Sequence, residues 1–364
     1  MTVEDGLRLS VYLGERDRAG GRLLADALLD AYARHGVQTS ALIRGVEGFG
    51  IKHRLQSEGL LTLSEDLPLV ALAFDTASRI EAVLEDVLAL APYGLITLER
   101  ARLLSGSTLA AVPSLDDEQT KLTIHLGRGE RVASRPAYVA AVECLQRHGV
   151  AGASVLLGLD GTVRGARQRA RFFAGNARVP LIIQSVGEGA SIAGALGELA
   201  GLLAAPTVAL ERVRVCKRDG ALLAEPQRPP ATDAGGLAYW QKLVVYAGER
   251  SRHGSGPLHS ALVRRLRAEN AAGATALRGV WGYHGEHRPH GERFWSLHRH
   301  VPTLTVLLDT PANVARWFAI VDEMTRETGL VTSERVPALR AAGPGIEHGG
   351  LQLAEHRGVE CRRA

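Results

Sequence analysis

The chain contains few cysteine, methionine and aromatic residues and no long uncharged apolar run. Its three cysteines, Cys144, Cys216 and Cys361, lack the Cys-x-x-Cys spacing of a thiolate metal site, and their odd number argues against a disulfide scaffold. We expect Cys144 simply to fill a helix face. The nearest approach to a membrane span, Ile192 to Leu210, is interrupted by a glutamate and a proline. Residues 1–5 lack the apolar core of a signal peptide, so we expect a cytoplasmic protein.

Motifs of the common enzyme classes are also missing. The sequence contains no Walker loop, dinucleotide fingerprint, nucleophile elbow or catalytic-triad spacing, which predicts that the protein is not an enzyme. A net charge of +4 with scattered arginines does not indicate a nucleic-acid partner. Apolar content of 46% and charged content of 23% are typical of a folded globular protein, and 364 residues suffice for two or three domains.

One pattern of strands and helices occurs three times. The glycines that end the first strand, Gly14, Gly127 and Gly248, lie 113 and 121 positions apart. The spacing between a later glycine and the proline that opens the third strand is equally constant. It is 23 positions from Gly45 to Pro68, 22 from Gly158 to Pro180 and 23 from Gly279 to Pro302. Such regularity indicates duplicated units.

These units set the predicted domain organisation. We assign repeat 1 to residues 6–104, repeat 2 to 120–216 and repeat 3 to 240–339, with linkers at 105–119 and 217–239 and a mobile tail at 340–364. Each repeat follows the order βαββαβ, which predicts an α+β fold of three tandem ferredoxin-like domains. Because each sheet would leave one face bare, we expect the three faces to pack together as an intrachain pseudo-trimer.

Charged pairs recur at the end of the last strand of each repeat. They are Glu99-Arg100, Glu211-Arg212 and Glu334-Arg335. We expect these residues to be exposed on an edge strand.

The most informative stretch is Arg44-Gly45-Val46-Glu47-Gly48-Phe49-Gly50, which we expect to begin a long polar loop reaching about Asp66. Repeat 3 has a counterpart in Arg278-Gly279-Val280-Trp281-Gly282-Tyr283, whereas repeat 2 has Leu157 in place of the arginine. Glycine lets a ligand approach backbone N–H groups, and arginine offers a planar fork for carboxylate or phosphate. The stretch therefore predicts an anion site, with a loop hinge as the alternative.

The same stretch, together with Gly14-Glu15-Arg16, Leu67-Pro68-Leu69-Val70 and Gly94-Leu95-Ile96-Thr97, resembles the PII-like signalling proteins and more closely the bacterial DUF190 family. The resemblance covers all of repeat 1 and most of the framework of repeats 2 and 3. It implies PII-like domains that form trimers, bind effectors such as the adenine nucleotides AMP, ADP or ATP in clefts between units, and regulate a protein or transporter. No cofactor is implied, and the protein would be a monomer acting as its own trimer.

The predicted nucleotide site combines three groups of residues. They are the strand-exit residues Arg44, Gly45, Gly48, Phe49, Gly50, Arg278, Gly279 and Gly282; the arginines Arg16, Arg18, Arg250 and Arg252 near helix N-termini; and Gly94, Thr97, Gly329 and Thr332 as donors from the adjacent unit. The arginines and backbone amides would hold phosphates, and the Phe49 ring would stack on the base.

Two alternatives stay open. The histidines of the repeat 3 loop, including His284, His287 and His290, could bind a metal, although no His-Glu-x-x-His helix fixes their geometry. The loops could instead dock a protein partner without any small ligand.

Overall fold

The computed structural model describes residues 4–50, 53–57, 66–109, 115, 119–169, 178–284, 290–291, 301–343 and 346–354. Within these residues, six α-helices alternate with the strands of one large sheet, so the predicted α+β class is confirmed. No helix of this part of the chain is long and apolar enough to cross a membrane.

The elements follow the same order in each repeat. Repeat 1 contains β1 (Glu4–Gly14), β2 (Arg18–Ala19), β3 (Arg22–Leu23), α1 (Leu24–Arg34), β4 (Thr39–Phe49), β5 (Gln56–Ser57), β6 (Pro68–Thr76), α2 (Ala77–Leu90) and β7 (Gly94–Ser105). Repeat 2 contains β8 (Gln119–Gly127), β9 (Arg131–Val132), β10 (Arg135–Pro136), α3 (Ala137–Arg147), β11 (Gly152–Val163), β12 (Ala166–Arg169), β13 (Pro180–Glu188), α4 (Gly189–Leu202) and β14 (Thr207–Arg212), followed by β15 (Arg214–Arg218) and β16 (Ala221–Leu222).

Repeat 3 completes the chain. It contains β17 (Trp240–Gly248), β18 (Arg252–His253), β19 (Gly256–Pro257), α5 (Leu258–Ala268), β20 (Ala274–Arg278), β21 (Trp281–His284), β22 (His290–Gly291), β23 (Pro302–Asp309), α6 (Pro311–Met324) and β24 (Leu330–Val336), followed by β25 (Ala338–Gly343) and β26 (Ile346–Gly350). The start of α6 illustrates how local sequence sets an element. Thr310 accepts a hydrogen bond from the Asn313 backbone N–H at 3.4 Å, and Pro311 occupies the first turn.

Strand pairing within each repeat is antiparallel and has one order. In repeat 1 the first strand, β1, lies between β7 and β6, and β6 also pairs with β4. Repeat 2 repeats this order with β14, β8, β13 and β11, and repeat 3 with β24, β17, β23 and β20. The helices cover one face of each sheet, where Leu9, Leu28 and Ile80 belong to one buried cluster.

The last strands join the repeats into a closed ring. The end of β7 pairs with β14 of repeat 2, β15 pairs with β24 of repeat 3, and β25 returns to pair with the start of β7. Each segment that follows a repeat thereby extends the sheet of a neighbouring repeat. This closure fits the predicted intrachain pseudo-trimer.

The bare sheet faces meet at the centre of the ring. One buried cluster combines residues of all three repeats, among them Ile43, Ile182 and Val244. Along β1, Leu7, Leu9 and Val11 lie in the helix-side cluster of repeat 1, while the alternate residues Arg8 and Ser10 are also buried. The polar positions in the middle of this strand are therefore not exposed to solvent, unlike Glu4 and Asp5 at its start.

The described residues of the tail that we expected to be mobile, 340–343 and 346–354, include two paired strands. Strands β25 and β26 form a hairpin on β7, with Leu339 opposite Gly350 and Gly343 opposite Ile346. Ala354 is buried, and its carbonyl accepts a hydrogen bond from the Arg100 guanidinium at 3.1 Å. The glycine and arginine content of this segment suggested mobility, but the open edge of β7 supplies the pairing that orders it.

Candidate functional site

The strand-exit stretch of repeat 1 continues β4 rather than opening a loop, so the prediction of a loop from Gly45 is wrong. Gly45, Glu47, Gly48 and Phe49 pair with β20 of repeat 3. The equivalent end of β11 pairs with β4, and β21 pairs with the start of β11. The strand that follows the first helix of each repeat thus pairs with its counterpart in a neighbouring repeat. These pairings form a second ring of contacts between repeats.

Close approach between strands explains the glycines of the stretch. A Cβ atom on Gly45 would lie 2.8 Å from the Pro68 ring and 3.0 Å from the Ala276 carbonyl oxygen. Gly279 would meet Pro302 at 2.7 Å, and Gly158 would meet Pro180 at 2.8 Å. The constant glycine-to-proline spacing of the sequence therefore records a packing contact. At these positions, space rather than a positive φ requires glycine.

Phe49 is 3% exposed and belongs to the core cluster of repeat 3, below α5. Its ring also stacks on His53, with 5.8 Å between centroids. Tyr283, its counterpart in repeat 3, is buried in the core of repeat 2 and donates a hydrogen bond to the Val150 carbonyl at 2.6 Å. These rings cap the core of a neighbouring repeat, so stacking of Phe49 on a base is not available in this conformation.

The strand-exit arginines differ in accessibility. Arg44 is 45% exposed and its Nη2 atom lies 3.0 Å from a carboxylate oxygen of Glu15, just after β1. In repeat 3, the Arg278 Nε atom lies 3.0 Å from a Glu249 oxygen, and these two side chains are 24% and 19% exposed. Repeat 2 has Leu157 and Arg128 at these two positions, so both members of the pair are replaced together. An exposed guanidinium that pairs with an exposed carboxylate can exchange that partner. It can then donate hydrogen bonds to a carboxylate or phosphate from solution.

The four arginines that follow the first strands are all exposed. Arg18 and Arg252 belong to small hairpins in repeats 1 and 3, and Arg16 and Arg250 lie just before those hairpins. Arg18 donates to the Gly21 carbonyl across β2 and β3 at 2.8 Å, and Arg252 donates to the Ser255 carbonyl across β18 and β19. The backbone N–H of Arg16 donates to Asp66 at 2.8 Å, whereas Arg250 is exposed at the equivalent position. Arg18 and Arg252 therefore close the hairpins that lead into α1 and α5.

Gly94, Thr97, Gly329 and Thr332 were predicted as donors from the adjacent unit. The contacts described here lie within their own repeats. Gly94 and Gly329 have φ values of +117° and +97°, and their Cβ positions would lie 3.2 Å and 3.0 Å from the carbonyl oxygens of Tyr12 and Tyr246. Thr97 is fully buried, and its hydroxyl donates to the Glu99 carboxylate. In repeat 3, Thr332 likewise donates to Glu334. The two threonines thus face a charged cluster at the centre of the ring.

This central cluster contains three cations and three carboxylates from the three repeats. We name it the axial cluster; its members are Arg8, Glu99, Lys121, Glu211, Lys242 and Glu334. All six are buried. Glu99, Glu211 and Glu334 were expected on an exposed edge, and that prediction is wrong because the strands that carry them become central when the sheets join.

Opposite charges alternate around the axial cluster. Arg8 lies 2.6 Å from Glu99 and 2.8 Å from Glu211, and Lys121 lies 3.1 Å from Glu211. Lys121 and Lys242 both bind Glu334, the latter at 2.8 Å, and Lys242 closes the circle on Glu99. Each carboxylate is thereby bridged by two cations, so the cluster is neutral.

Burial alone would raise the pKa of Glu334, but the Lys121 and Lys242 ammonium groups lower it to about 2. Burial opposes ionisation of Glu99 as well, and Arg8 and Lys242 hold its pKa well below the usual value. A basic residue that recurs on the polar positions of every first strand is the sequence signal that could have revealed this cluster.

Two equivalent clefts lie between repeats. The cleft of repeats 2 and 3 is lined by Ser154, Gln184, Tyr246, Tyr283 and His284 among others, and has a volume of about 330 Å³ including space open to solvent.

The corresponding cleft of repeats 1 and 2 contains His125, which stacks on Phe74. Arg164 and Glu130 form an ion pair at its edge, 3.1 Å apart. This cleft has a smaller volume than the first, about 260 Å³ including space open to solvent. Neither Arg44 nor Arg278 lines these two clefts, so the predicted arginines and the visible clefts are separate features.

The predicted metal ligands are only partly described. The His284 Nε2 atom lies 2.7 Å from a carboxylate oxygen of Asp219. His287 lies outside the described residues, and so does the side chain of His290. The metal-loop alternative therefore stays a prediction.

A comparison with protein families agrees with the repeat structure. The model of the DUF190 family, described as "Uncharacterized ACR", matches residues 6–103, 119–215 and 240–338. These three matches span most of the chain and confirm the resemblance seen in the sequence. The chain therefore belongs to the DUF190 family and carries three tandem copies of its domain.

Proposed function

We propose that this protein is a PII-like regulator that binds a small anionic effector, of the adenine-nucleotide type, where one repeat crosses onto the next. The observation that carries the proposal is the Arg44–Glu15 pair and its duplicate, Arg278–Glu249. Repeat 2 replaces both partners, as expected if arginine and glutamate serve one purpose. Effector binding is then confined to the crossings that carry Arg44 and Arg278.

The fold supports this role. We infer that each repeat is a ferredoxin-like, PII-like domain, because its sheet order places the first strand between the last and third strands. Three such domains in a ring form a pseudo-trimer from one chain. We place the protein in the cytoplasm and assign it a sensing role rather than a catalytic one.

Competition between effector and glutamate provides a switch. When a phosphate or carboxylate of the effector takes the place of Glu15 at the Arg44 guanidinium, the segment after β1 is released from that contact. This segment is tied to the end of the long connection, since the Glu15 N–H donates to the Leu67 carbonyl and the Arg16 N–H to Asp66. Effector binding therefore changes the connection between β4 and β6, where a partner protein can recognise it.

Replacing Arg44 and Arg278 together by alanine should weaken effector binding about 10- to 100-fold, the usual effect of losing a charge-assisted hydrogen bond. Calorimetric titration with ATP, ADP, AMP and inorganic phosphate measures this change. Arg265→Ala is the matched control, because Arg265 is an exposed arginine on α5 that pairs only locally with Glu269. The proposal fails if no anion binds the unaltered protein. It also fails if the double variant binds the anion as tightly as the unaltered protein does.

Replacing Glu15 by glutamine should have the opposite effect. The neutral amide competes less strongly for Arg44, so anion affinity at this crossing should rise by about 2- to 5-fold, in line with the small contribution of exposed ion pairs to stability. The same titration checks the result. Weaker binding in Glu15→Gln would mean that Glu15 contacts the ligand or supports the site, and would contradict the competition.

A further inference from the structure

Repeat 2 carries a cluster of three side chains of metal-ligating type on its two helices. Cys144 and His148 are four residues apart, at the end of α3, and therefore lie on one helical face. Glu198 projects from the adjacent α4. One ligand atom from each of these three residues lies within 4.8 Å of the other two.

The cluster is open to solvent on one side only. The Cys144 side chain is buried between the helices, with Sγ 3.8 Å from the Ala195 carbonyl oxygen. His148 and Glu198 are 30% and 40% exposed, and the His148 Nε2 atom lies 2.9 Å from a Glu198 oxygen. Gly194 leaves room for the imidazole, because a Cβ atom there would lie 3.0 Å from the His148 ring. The thiol is therefore buried, whereas the other two side chains are partly exposed.

Repeat 1 contains the same framework without the thiol. His35 lies 3.1 Å from Asp86, and Arg34 also pairs with that carboxylate. In repeat 2, Arg147 pairs with Glu198 in the same way. The position that is Cys144 in repeat 2 is Ala31 in repeat 1, which is buried in the helix-side core. The histidine, carboxylate and arginine thus occur in both repeats, and the thiol is the difference between them.

We propose that Cys144, His148 and Glu198 form a binding site for Zn²⁺ or a similar thiophilic divalent cation, with water in the fourth position. Thiolate, imidazole and carboxylate are the three ligand types that Zn²⁺ takes from proteins, and three protein ligands with one open position is a common arrangement. Repeat 1 lacks the soft ligand and is not a site. The proposal is independent of effector binding at Arg44 and Arg278.

One contact limits how tightly the site holds its ion. The Arg147 guanidinium pairs with Glu198 and must turn away when the carboxylate binds an ion. Affinity should therefore increase when Arg147 is removed.

Cobalt titration of the full-length chain tests the site, because a thiolate bound to Co²⁺ gives a near-ultraviolet charge-transfer band that histidine and carboxylate alone do not give. Cys216 and Cys361 are first replaced by alanine, which leaves Cys144 as the one thiol. We expect a band that saturates at one ion per chain, is displaced by Zn²⁺ and is lost in Cys144→Ala. His148→Gln, which keeps the thiol, should weaken binding at least about 10-fold.

Two further variants separate a site from incidental contacts. His35→Gln alters the thiol-free counterpart in repeat 1 and should leave the titration unchanged. Arg147→Gln should bind more tightly than the parent, because it frees Glu198. Absence of the band in the parent, its persistence in Cys144→Ala, or equal affinity in His148→Gln would each overturn the proposal.

Discussion

Replacing Arg8 by methionine should lower the free energy of unfolding by about 3–5 kcal/mol, the cost of leaving buried charge without its partner. Arg8 contacts Glu99 at 2.6 Å and Glu211 at 2.8 Å, and both carboxylates are buried. The substitution keeps most of the side-chain volume but leaves the axial cluster with a net negative charge. The shift of the urea unfolding midpoint measures the loss.

A charge-matched double variant distinguishes lost charge balance from lost packing. Replacing Glu211 by glutamine together with Arg8→Met restores a neutral cluster of two cations and two carboxylates. The double variant should be more stable than the sum of the two single losses predicts, by roughly 0.5–3 kcal/mol. Arg22→Met, which breaks the exposed pair with Asp30, should cost less than about 1 kcal/mol. Strict additivity of the two axial substitutions would contradict this account.

The same cluster gives stability a defined pH dependence. The pKa of Glu334 is lowered to about 2 by Lys121 and Lys242, and that of Glu99 is lowered by Arg8 and Lys242. A carboxylate with a depressed folded-state pKa stabilises the protein above its unfolded value of about 4.3, and this contribution is lost as the pH falls towards the folded value. Unfolding midpoints should therefore drop between about pH 4.3 and pH 2, and less steeply in Arg8→Met. An equally steep drop in that variant would argue against Arg8 as a cause.

Replacing Gly282 by alanine should be similarly destabilising, by about 2–6 kcal/mol from steric overlap and backbone strain together. A Cβ atom there would lie 2.1 Å from the Ala153 carbonyl oxygen of repeat 2, and Gly282 has a φ of +151°. Gly161 has the same φ and the same 2.1 Å distance to Ser40 of repeat 1, so Gly161→Ala should behave alike. Thermal unfolding measures both effects.

Gly50 provides the control for this prediction. It belongs to the same sequence stretch, but a Cβ atom at this position would meet none of the residues that the structure describes within 4 Å. Gly50→Ala should change the free energy of unfolding by no more than about 0.5 kcal/mol. If Gly282→Ala changed the free energy of unfolding as little as Gly50→Ala, the strands of repeats 2 and 3 could move apart without loss of stability. The close approach of Gly282 to the Ala153 carbonyl would then not be the reason for the glycine.

The strand-exit stretch illustrates where sequence reasoning reaches its limit. Arginine and glycines in this order predicted an anion-binding loop, and the Arg44–Glu15 contact retains a guanidinium that an anion can reach. The glycines themselves have another cause, because Gly45 is packed between Pro68 and Ala276. Ala276 lies 231 positions away in another repeat, so no local pattern could have identified it.

The sequence by itself determined the threefold repeat and the order of strands and helices, because periodicity and spacing can be read along the chain. The motifs of repeat 1 also resembled those of the family whose model matches the chain. The sequence also determined that each sheet would have one bare face. Only the tertiary structure decided what covers that face and which polar residues are buried there. Arg8 and Glu99 look like surface charges in the sequence, and they become an interior network because partners from two other repeats neutralise them. Burial of a charge depends on those distant partners, and the local sequence does not record them.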